Sequence, residues 1–132
     1  MTAKRFLLAS LGAFVFVFLY ELLVHGHLMM GLYDQTATVW RPEEESNMAI
    51  MLLSQLLFGA ALAFFYPIVG SDAECKKAIP FGIGLGLVMA APQLATYSYL
   101  PIPLTLSLSW ALISFVKALG STYIVSKIYN WK

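Results

Sequence analysis

Residues 20–30 read YELLVHGHLMM and lie near the end of an apolar run that begins at Phe6. The run is long enough to cross a bilayer, because about 20 apolar helical residues span the hydrocarbon core. It nevertheless contains Glu21, His25 and His27, and ionisable groups at such depth are costly and usually functional. This stretch therefore predicts a membrane-spanning helix and marks the first place to look for a site.

Composition supports the same class of protein. The 132 residues are 60% hydrophobic and only 11% charged, whereas about a quarter of the residues in soluble domains are charged. The net charge of +1 and the lack of a Lys/Arg cluster argue against a nucleic-acid partner. The single cysteine, Cys75, excludes an internal disulfide and a cysteine-based metal site.

Hydropathy and helix-terminating residues predict one all-α membrane domain over residues 1–132. Pro42 and the glutamates after it are typical of a helix start, Pro67 is typical of a helix end, and Ser71 with Glu74 has the spacing of a capping box. The predicted spans cover about residues 6–32, 42–66, 72–99 and 103–129.

The basic residues predict the orientation of this four-helix bundle. An even number of spans places Lys4, Arg5, Lys76, Lys77, Lys127 and Lys132 on one side, and leaves Arg41 on the other. Because cytoplasmic loops carry the excess of Lys and Arg, both termini are expected in the cytoplasm.

Small residues predict how the helices pack. Gly82, Gly86 and Ala90 recur at intervals of four and form one smooth stripe on the third span, and Gly59 gives the second span a similar seam. A nucleotide-binding reading of these glycines is disfavoured because it needs a preceding strand.

A buried ion pair is the main candidate site. Counting helical rise places Glu21 about 23 Å and Lys117 about 15 Å above the same end of the bundle, within reach of a lysine side chain. The pair could fix which helix faces meet, could relay protons or ions, or each residue could meet a different partner. Gln55 and Gln93 are further candidates for buried polar groups.

Metal binding and catalysis are weaker interpretations. Glu21 and His25 lie four residues apart and could share one ion, with Met29 nearby, but His25 and His27 point to nearly opposite faces. No metal site and no cofactor is therefore predicted. No serine follows the strand-to-helix pattern of a catalytic nucleophile, so we do not expect an enzyme.

The first connection has two interpretations. Its three glutamates are by default a solvated helix cap. Its aromatic and turn-forming residues also fit partner docking, because Trp and Arg are enriched at contact hot spots. The candidates for docking are His27, Tyr33, Trp40 and Arg41.

One family resemblance emerges at this connection. The sequence HGHLMMGLYDQTATVWRPE at residues 25–43, followed by three further spans and the turn YLPIP at residues 99–103, resembles small four-helix bacterial membrane proteins grouped under the domain of unknown function 1761. The resemblance implies an inner-membrane location and carries no activity or catalytic residue to this chain.

These observations lead to three functional hypotheses. The first is a non-catalytic accessory subunit or scaffold, embedded in the lipid bilayer as a homo-oligomer or as part of a larger membrane complex. The second is a small transporter or proton-linked carrier that uses Glu21, His25 and Lys117. The third is metal or haem binding in the outer half of the bundle.

Overall fold

The computed structural model describes residues 2–69 and 75–131, and this part of the chain is helical without a strand. Four helical stretches are long and apolar enough to cross a membrane, which confirms the all-α, four-helix prediction. The α-helices are α1 (Ala3–Leu23), α2 (Met30–Asp34), α3 (Met48–Val69), α4 (Cys75–Ala95) and α5 (Leu104–Tyr129).

The four long helices pack as two pairs joined at the centre. α3 lies along α1, α4 lies along α5, and α1 packs against α5. Both chain termini lie at the same end, where the Arg5 guanidinium donates to the Trp131 carbonyl at 3.2 Å. We call this the terminal end, and we call the opposite end, which carries residues 29–47 and 96–103, the loop end.

Close helix contacts occur at the glycines singled out in the sequence. A Cβ atom on Gly59 would lie 2.8 Å from the Ser10 carbonyl oxygen of α1. Between α4 and α5, a Cβ on Gly82 would lie 3.1 Å from Leu119 and one on Gly86 would lie 2.7 Å from the Phe115 ring. These glycines therefore permit backbone approaches that a larger residue would prevent. Ala90, one turn further along α4, is half-buried.

α3 begins at Met48, so the predicted start at Pro42 is wrong. Glu43–Glu45 form a separate 3-10 turn, and Ser46 after it is extended. The Asn47 side chain then accepts a hydrogen bond from the backbone N–H of Ile50 at 3.1 Å. Asn47 acts as the N-cap because its amide oxygen satisfies an N–H that the first turn leaves free. The predicted capping box at Ser71 and Glu74 and the predicted start of the third span lie outside the described residues.

α3 also continues through Pro67 to Val69 instead of ending at Tyr66. Proline lacks the N–H that would bond to the carbonyl four residues earlier, which belongs to Ala63. The Tyr129 hydroxyl of α5 donates to this Ala63 carbonyl at 2.8 Å. A side chain from another helix thus replaces the missing backbone donor, and the helix continues for one more turn.

α1 ends earlier than the predicted Leu32. After Leu23 the helix widens into a π-turn over Val24–Leu28, in which the Met29 N–H donates to the Val24 carbonyl at 2.9 Å. The wide turn contains Gly26, a poor helix former, and π-turns inside helices are often found at functional sites. The chain then turns into the short helix α2, which carries Tyr33.

Candidate functional site

Lys117 of α5 and Glu21 of α1 form a half-buried ion pair. The Lys117 ammonium lies 2.6 Å from Glu21 Oε1, and the two side chains are 18% and 20% exposed. The second carboxylate oxygen, Oε2, lies 2.9 Å from Nε2 of His25, which lies in the π-turn that follows α1. We call Glu21, His25 and Lys117 the charged trio. The structure therefore brings together the three residues that the sequence placed within reach of one another.

The face of α5 that carries Lys117 is polar and points into the protein. Ser107, Ser114 and Ser121 on this face are all buried. The Ser107 hydroxyl is 2.9 Å from the Gln93 carbonyl and 3.0 Å from the Leu94 carbonyl at the end of α4. This face is fixed against α4 by hydrogen bonds as well as by packing, which keeps Lys117 aimed at α1.

Two aromatic residues extend the trio towards the loop end. The Tyr33 hydroxyl is within hydrogen-bonding distance of His25 Nδ1, and the Trp110 indole N–H donates to the same hydroxyl at 2.9 Å. Sequence reasoning missed this connection because it assumed a continuous helix through residue 32. The signal was Gly26 directly beside His25, since a break there turns the following residues back towards the bundle. We call the trio with Tyr33 and Trp110 the polar network.

The donor and acceptor groups of these side chains determine the direction of each hydrogen bond in the network. The Glu21 carboxylate can only accept, so Nε2 of His25 carries a proton. In the neutral imidazole Nδ1 then accepts from the Tyr33 hydroxyl, whose oxygen accepts from the Trp110 indole N–H. A histidine that accepts at Nδ1 carries its proton on Nε2 when neutral. His25 then donates from Nε2 to Glu21, which also accepts from Lys117. Both oxygens of the Glu21 carboxylate are satisfied in this arrangement.

Tyr33 is suited to remain a neutral donor. Burial raises the pKa of its phenol above the usual value of about 10, and the nearby charge of Glu21 raises the pKa further, against a lowering by the hydrogen bond from Trp110. The hydroxyl consequently keeps its proton at neutral pH, as the direction of the network requires.

The charged trio is a common wall of two cavities. The large cavity has a volume of about 750 Å³ and lies among the loop-end halves of α1 and α3, with Met89 of α4 and Lys117 of α5. The small cavity has a volume of about 310 Å³ and is also lined by Tyr33, Gln93, Trp110 and Ser114. Glu21, His25 and Lys117 line both cavities. A ligand or water in either cavity would thus contact the same ionisable groups.

The two predicted buried glutamines lie in different cavities. Gln55 is 7% exposed, lines the large cavity, and its Oε1 has no hydrogen-bond partner among the described residues. Gln93 is half-buried and lines the small cavity. Neither glutamine hydrogen-bonds to the ion pair directly, so they belong to the cavity walls and not to the polar network.

The predicted docking residues differ in exposure, and their role in docking stays a prediction. Tyr33 and Trp40 are half-buried, and the Trp40 ring packs edge-on against Tyr33 and Trp110, with centroids 5.5 Å away in each case. Burial of these large rings against one another is more favourable than leaving them in water. His27 and Arg41 remain exposed, and His27 Nδ1 lies 2.7 Å from the Gly26 carbonyl.

The weak metal candidates are not assembled into a ligand set. Within residues 2–69 and 75–131, no three His, Cys, Asp or Glu side chains gather as metal ligands. Met29 is 5% exposed and packs with Val24, Ile102 and Leu106 in an apolar cluster at the loop end. The trio itself combines one carboxylate, one imidazole and one ammonium group, which can exchange protons and form hydrogen bonds.

Comparison with known proteins adds no further assignment: no protein-family model, curated protein or solved structure matches the chain significantly.

Proposed function

We propose that this protein is an integral membrane carrier that binds a small lipophilic molecule beside the charged trio and moves a proton together with it. The observation that carries the proposal is that the same three ionisable residues line two cavities. A carrier needs a binding group that can be reached from two directions and that changes its charge state during the cycle. Glu21 and Lys117 line both cavities and can each gain or lose a proton, which supports the proposal.

The membrane part of the proposal rests on apolarity and on charge. The four spanning stretches bury between 17% and 28% of their most apolar windows within the protein, so apolar surface dominates the outside. Lys4, Arg5 and Lys127 lie at the terminal end, whereas Arg41 lies at the loop end. This distribution supports a cytoplasmic position for both termini, and the family resemblance supports the bacterial inner membrane.

The ion pair provides a means of coupling. The trio with neutral His25 has a net charge of zero, so it is inexpensive to bury as long as the ammonium and carboxylate stay together. A ligand that pairs with either Glu21 or Lys117 leaves the other residue unpaired, and an unpaired charge away from water is unfavourable. Uptake of a proton by Glu21, or its loss from Lys117, removes that cost. Binding and protonation are consequently linked.

Proton flux into proteoliposomes tests this function. Vesicles that contain a fluorescent pH indicator would receive benzoate, benzyl alcohol or tetraphenylphosphonium under an inward proton gradient. We expect at least one probe to accelerate acidification above the rate in protein-free vesicles. Glu21→Gln and Lys117→Met should abolish this increase, whereas the exposed changes Glu44→Gln and Lys127→Met should retain it. Equal rates with and without protein for all probes, or flux that persists in both site variants, would overturn the proposal.

A second candidate function is that of a lateral subunit in a larger membrane assembly. The specific observation is the outer face of α4, whose spanning stretch is only 17% buried. A Cβ on Gly84 of this face would meet no atom within 4 Å, and Leu87 and Val88 beside it are 61% and 70% exposed. Such a face can accept another helix at short distance. Crosslinking and native gels in mild detergent should show an oligomer or complex, and an isolated monomer would exclude this candidate.

A further inference from the structure

The large cavity has a few polar groups in an otherwise apolar lining. The polar groups belong to the charged trio, Gln55 and Ser54. The remaining lining is mostly apolar and includes Phe18, Leu52, Phe58 and Met89. Its volume of about 750 Å³ lies within the range of about 300–1,000 Å³ that is typical of small-molecule sites. This lining suits an amphipathic ligand with one small polar group.

Three methionines line the large cavity, Met48 and Met51 of α3 and Met89 of α4. Flexible methionine side chains adapt to apolar ligands of different shape. This part of the lining is therefore suited to a lipophilic molecule.

Two unused hydrogen-bonding groups specify the polar group of the ligand. Gln55 Oε1 is buried and lacks a donor within the described part of the chain, and a buried acceptor without a partner is unfavourable. The Lys117 ammonium has three N–H donors, and one of them is directed to Glu21. The ligand group that fits must donate to an amide oxygen and accept from an ammonium.

Charge balance selects among the groups that meet this requirement. With His25 neutral the trio has no net charge, so a permanently charged ligand would bring an uncompensated charge into the cavity. A carboxylic acid enters as a neutral group that can both donate and accept. As Lys117 moves from Glu21 to the ligand, the acid can transfer its proton to the Glu21 carboxylate, and its own carboxylate then pairs with Lys117. One O–H bond breaks, one forms, and the total charge of the site does not change.

We propose that the large cavity binds a lipophilic carboxylic acid, with its carboxyl group between Gln55 and Lys117 and its apolar part among the methionine and phenylalanine side chains. This inference rests on the proposed function for the choice of site and for the role of the proton. It adds the chemical class of the ligand, and it assigns Gln55 to binding.

Equilibrium binding of radiolabelled dodecanoic acid to the purified full chain in detergent tests the proposal. We expect saturable binding of the labelled acid. Unlabelled dodecanoic acid should displace the label at a concentration at least tenfold lower than methyl dodecanoate, dodecanol or dodecyltrimethylammonium requires. Gln55→Leu, which keeps the side-chain size and removes the amide, should weaken binding at least tenfold. Gln35→Leu makes the same chemical change at an exposed position and should leave binding unchanged. Circular dichroism and gel filtration verify that each variant is folded.

Several results would overturn the inference. Equal displacement by the methyl ester or the alcohol would show that the apolar chain alone drives binding. A loss of binding in Gln93→Leu with retention in Gln55→Leu would place the acid in the small cavity. Non-saturable uptake that matches empty detergent micelles would remove the site altogether.

The binding assay also separates this inference from the proposed function. Specific acid binding by a protein that shows no proton flux would support the ligand assignment and refute the carrier. Flux stimulated by benzyl alcohol or tetraphenylphosphonium, in a protein that does not bind dodecanoic acid, would support the carrier and refute the ligand assignment.

Discussion

Replacement of Lys117 by methionine should be among the most destabilising single substitutions in this protein. Two unit charges 2.6 Å apart attract by about 6 kcal/mol at an effective dielectric constant of about 20, before desolvation is subtracted. Removing one partner leaves the half-buried Glu21 carboxylate without its cation. Such losses are about 3–5 kcal/mol for fully buried pairs and about 0.2–1 kcal/mol for exposed ones. Lys117→Met should therefore lower the free energy of unfolding by an intermediate amount, about 2–4 kcal/mol. Glu21→Gln in the same background should recover part of this loss.

Reversible unfolding in mixed micelles with increasing dodecyl sulfate provides the measurement. The packed Trp40 and Trp110 rings supply the fluorescence signal. Lys127→Met is the matched control on the same helix, because Lys127 is exposed and its ammonium lies 5.1 Å from the centre of the Tyr123 ring. Exposed contacts of this kind contribute about 0.5–1 kcal/mol. The loss in Lys117→Met should also shrink at acid pH, where a proton can neutralise Glu21.

The double-mutant cycle decides the outcome. A buried, hydrogen-bonded pair should show a coupling energy above about 2 kcal/mol, within the range of up to about 3 kcal/mol for residues in contact. Exposed ion pairs give about 0.2–1 kcal/mol. If the coupling lies in that lower range and Lys117→Met is no worse than Lys127→Met, the reasoning from burial and distance is refuted.

Three further predictions use the same unfolding assay or its optical signal. Tyr33→Phe removes the hydroxyl at the centre of the polar network and should cost about 1–3 kcal/mol, whereas Tyr97→Phe, at a residue that is 49% exposed, should change stability by less than about 0.5 kcal/mol. Gly59→Ala should cost about 1–3 kcal/mol because its Cβ would lie 2.8 Å from the Ser10 backbone oxygen, and Gly84→Ala, which has open space, should gain about 0.5–1 kcal/mol. Because burial raises the pKa of Tyr33, the contribution of its neutral phenol to stability is full below about pH 10 and is lost as the pH rises through the folded-state pKa. In a pH titration, the part of the tyrosinate absorbance that Tyr33→Phe removes should have its midpoint above about pH 10. A midpoint at or below about pH 10 would contradict the assignment.

Hydropathy predicted the helical architecture well because the apolar runs are long and clearly interrupted. The exact ends of the helices were harder to predict from the sequence. Pro42 and three glutamates indicate a helix start, but Asn47 is a stronger N-cap that the composition of the loop conceals. Pro67 suggests a helix end in sequence, and only the three-dimensional structure reveals that Tyr129 supplies the missing donor. Local rules therefore failed where a distant side chain or a competing cap changed the local balance.

The candidate site was partly predictable for a related reason. Periodicity places Glu21 and His25 on one helix face, helical rise places Lys117 within side-chain reach of Glu21, and the structure has the three in contact. The contribution of Tyr33 was not predictable from periodicity, because the π-turn after Leu23 changes the register of the chain. The cavities were also beyond sequence reasoning, since they depend on how the helices pack in three dimensions.

The hydrogen bond between Tyr129 and the Ala63 carbonyl has a consequence for the order in which the protein is assembled. Residues 48–69 are synthesised before residues 104–129, so α3 exists for a time with a carbonyl that has no donor. Tyr129 is the final residue of α5. A nascent chain released or truncated just before it would contain all four long helices and still lack this bond. Formation of the last turn of α5 thus supplies the donor that α3 lacks. Misassembled forms without this turn can be identified by fraying of α3 at Pro67.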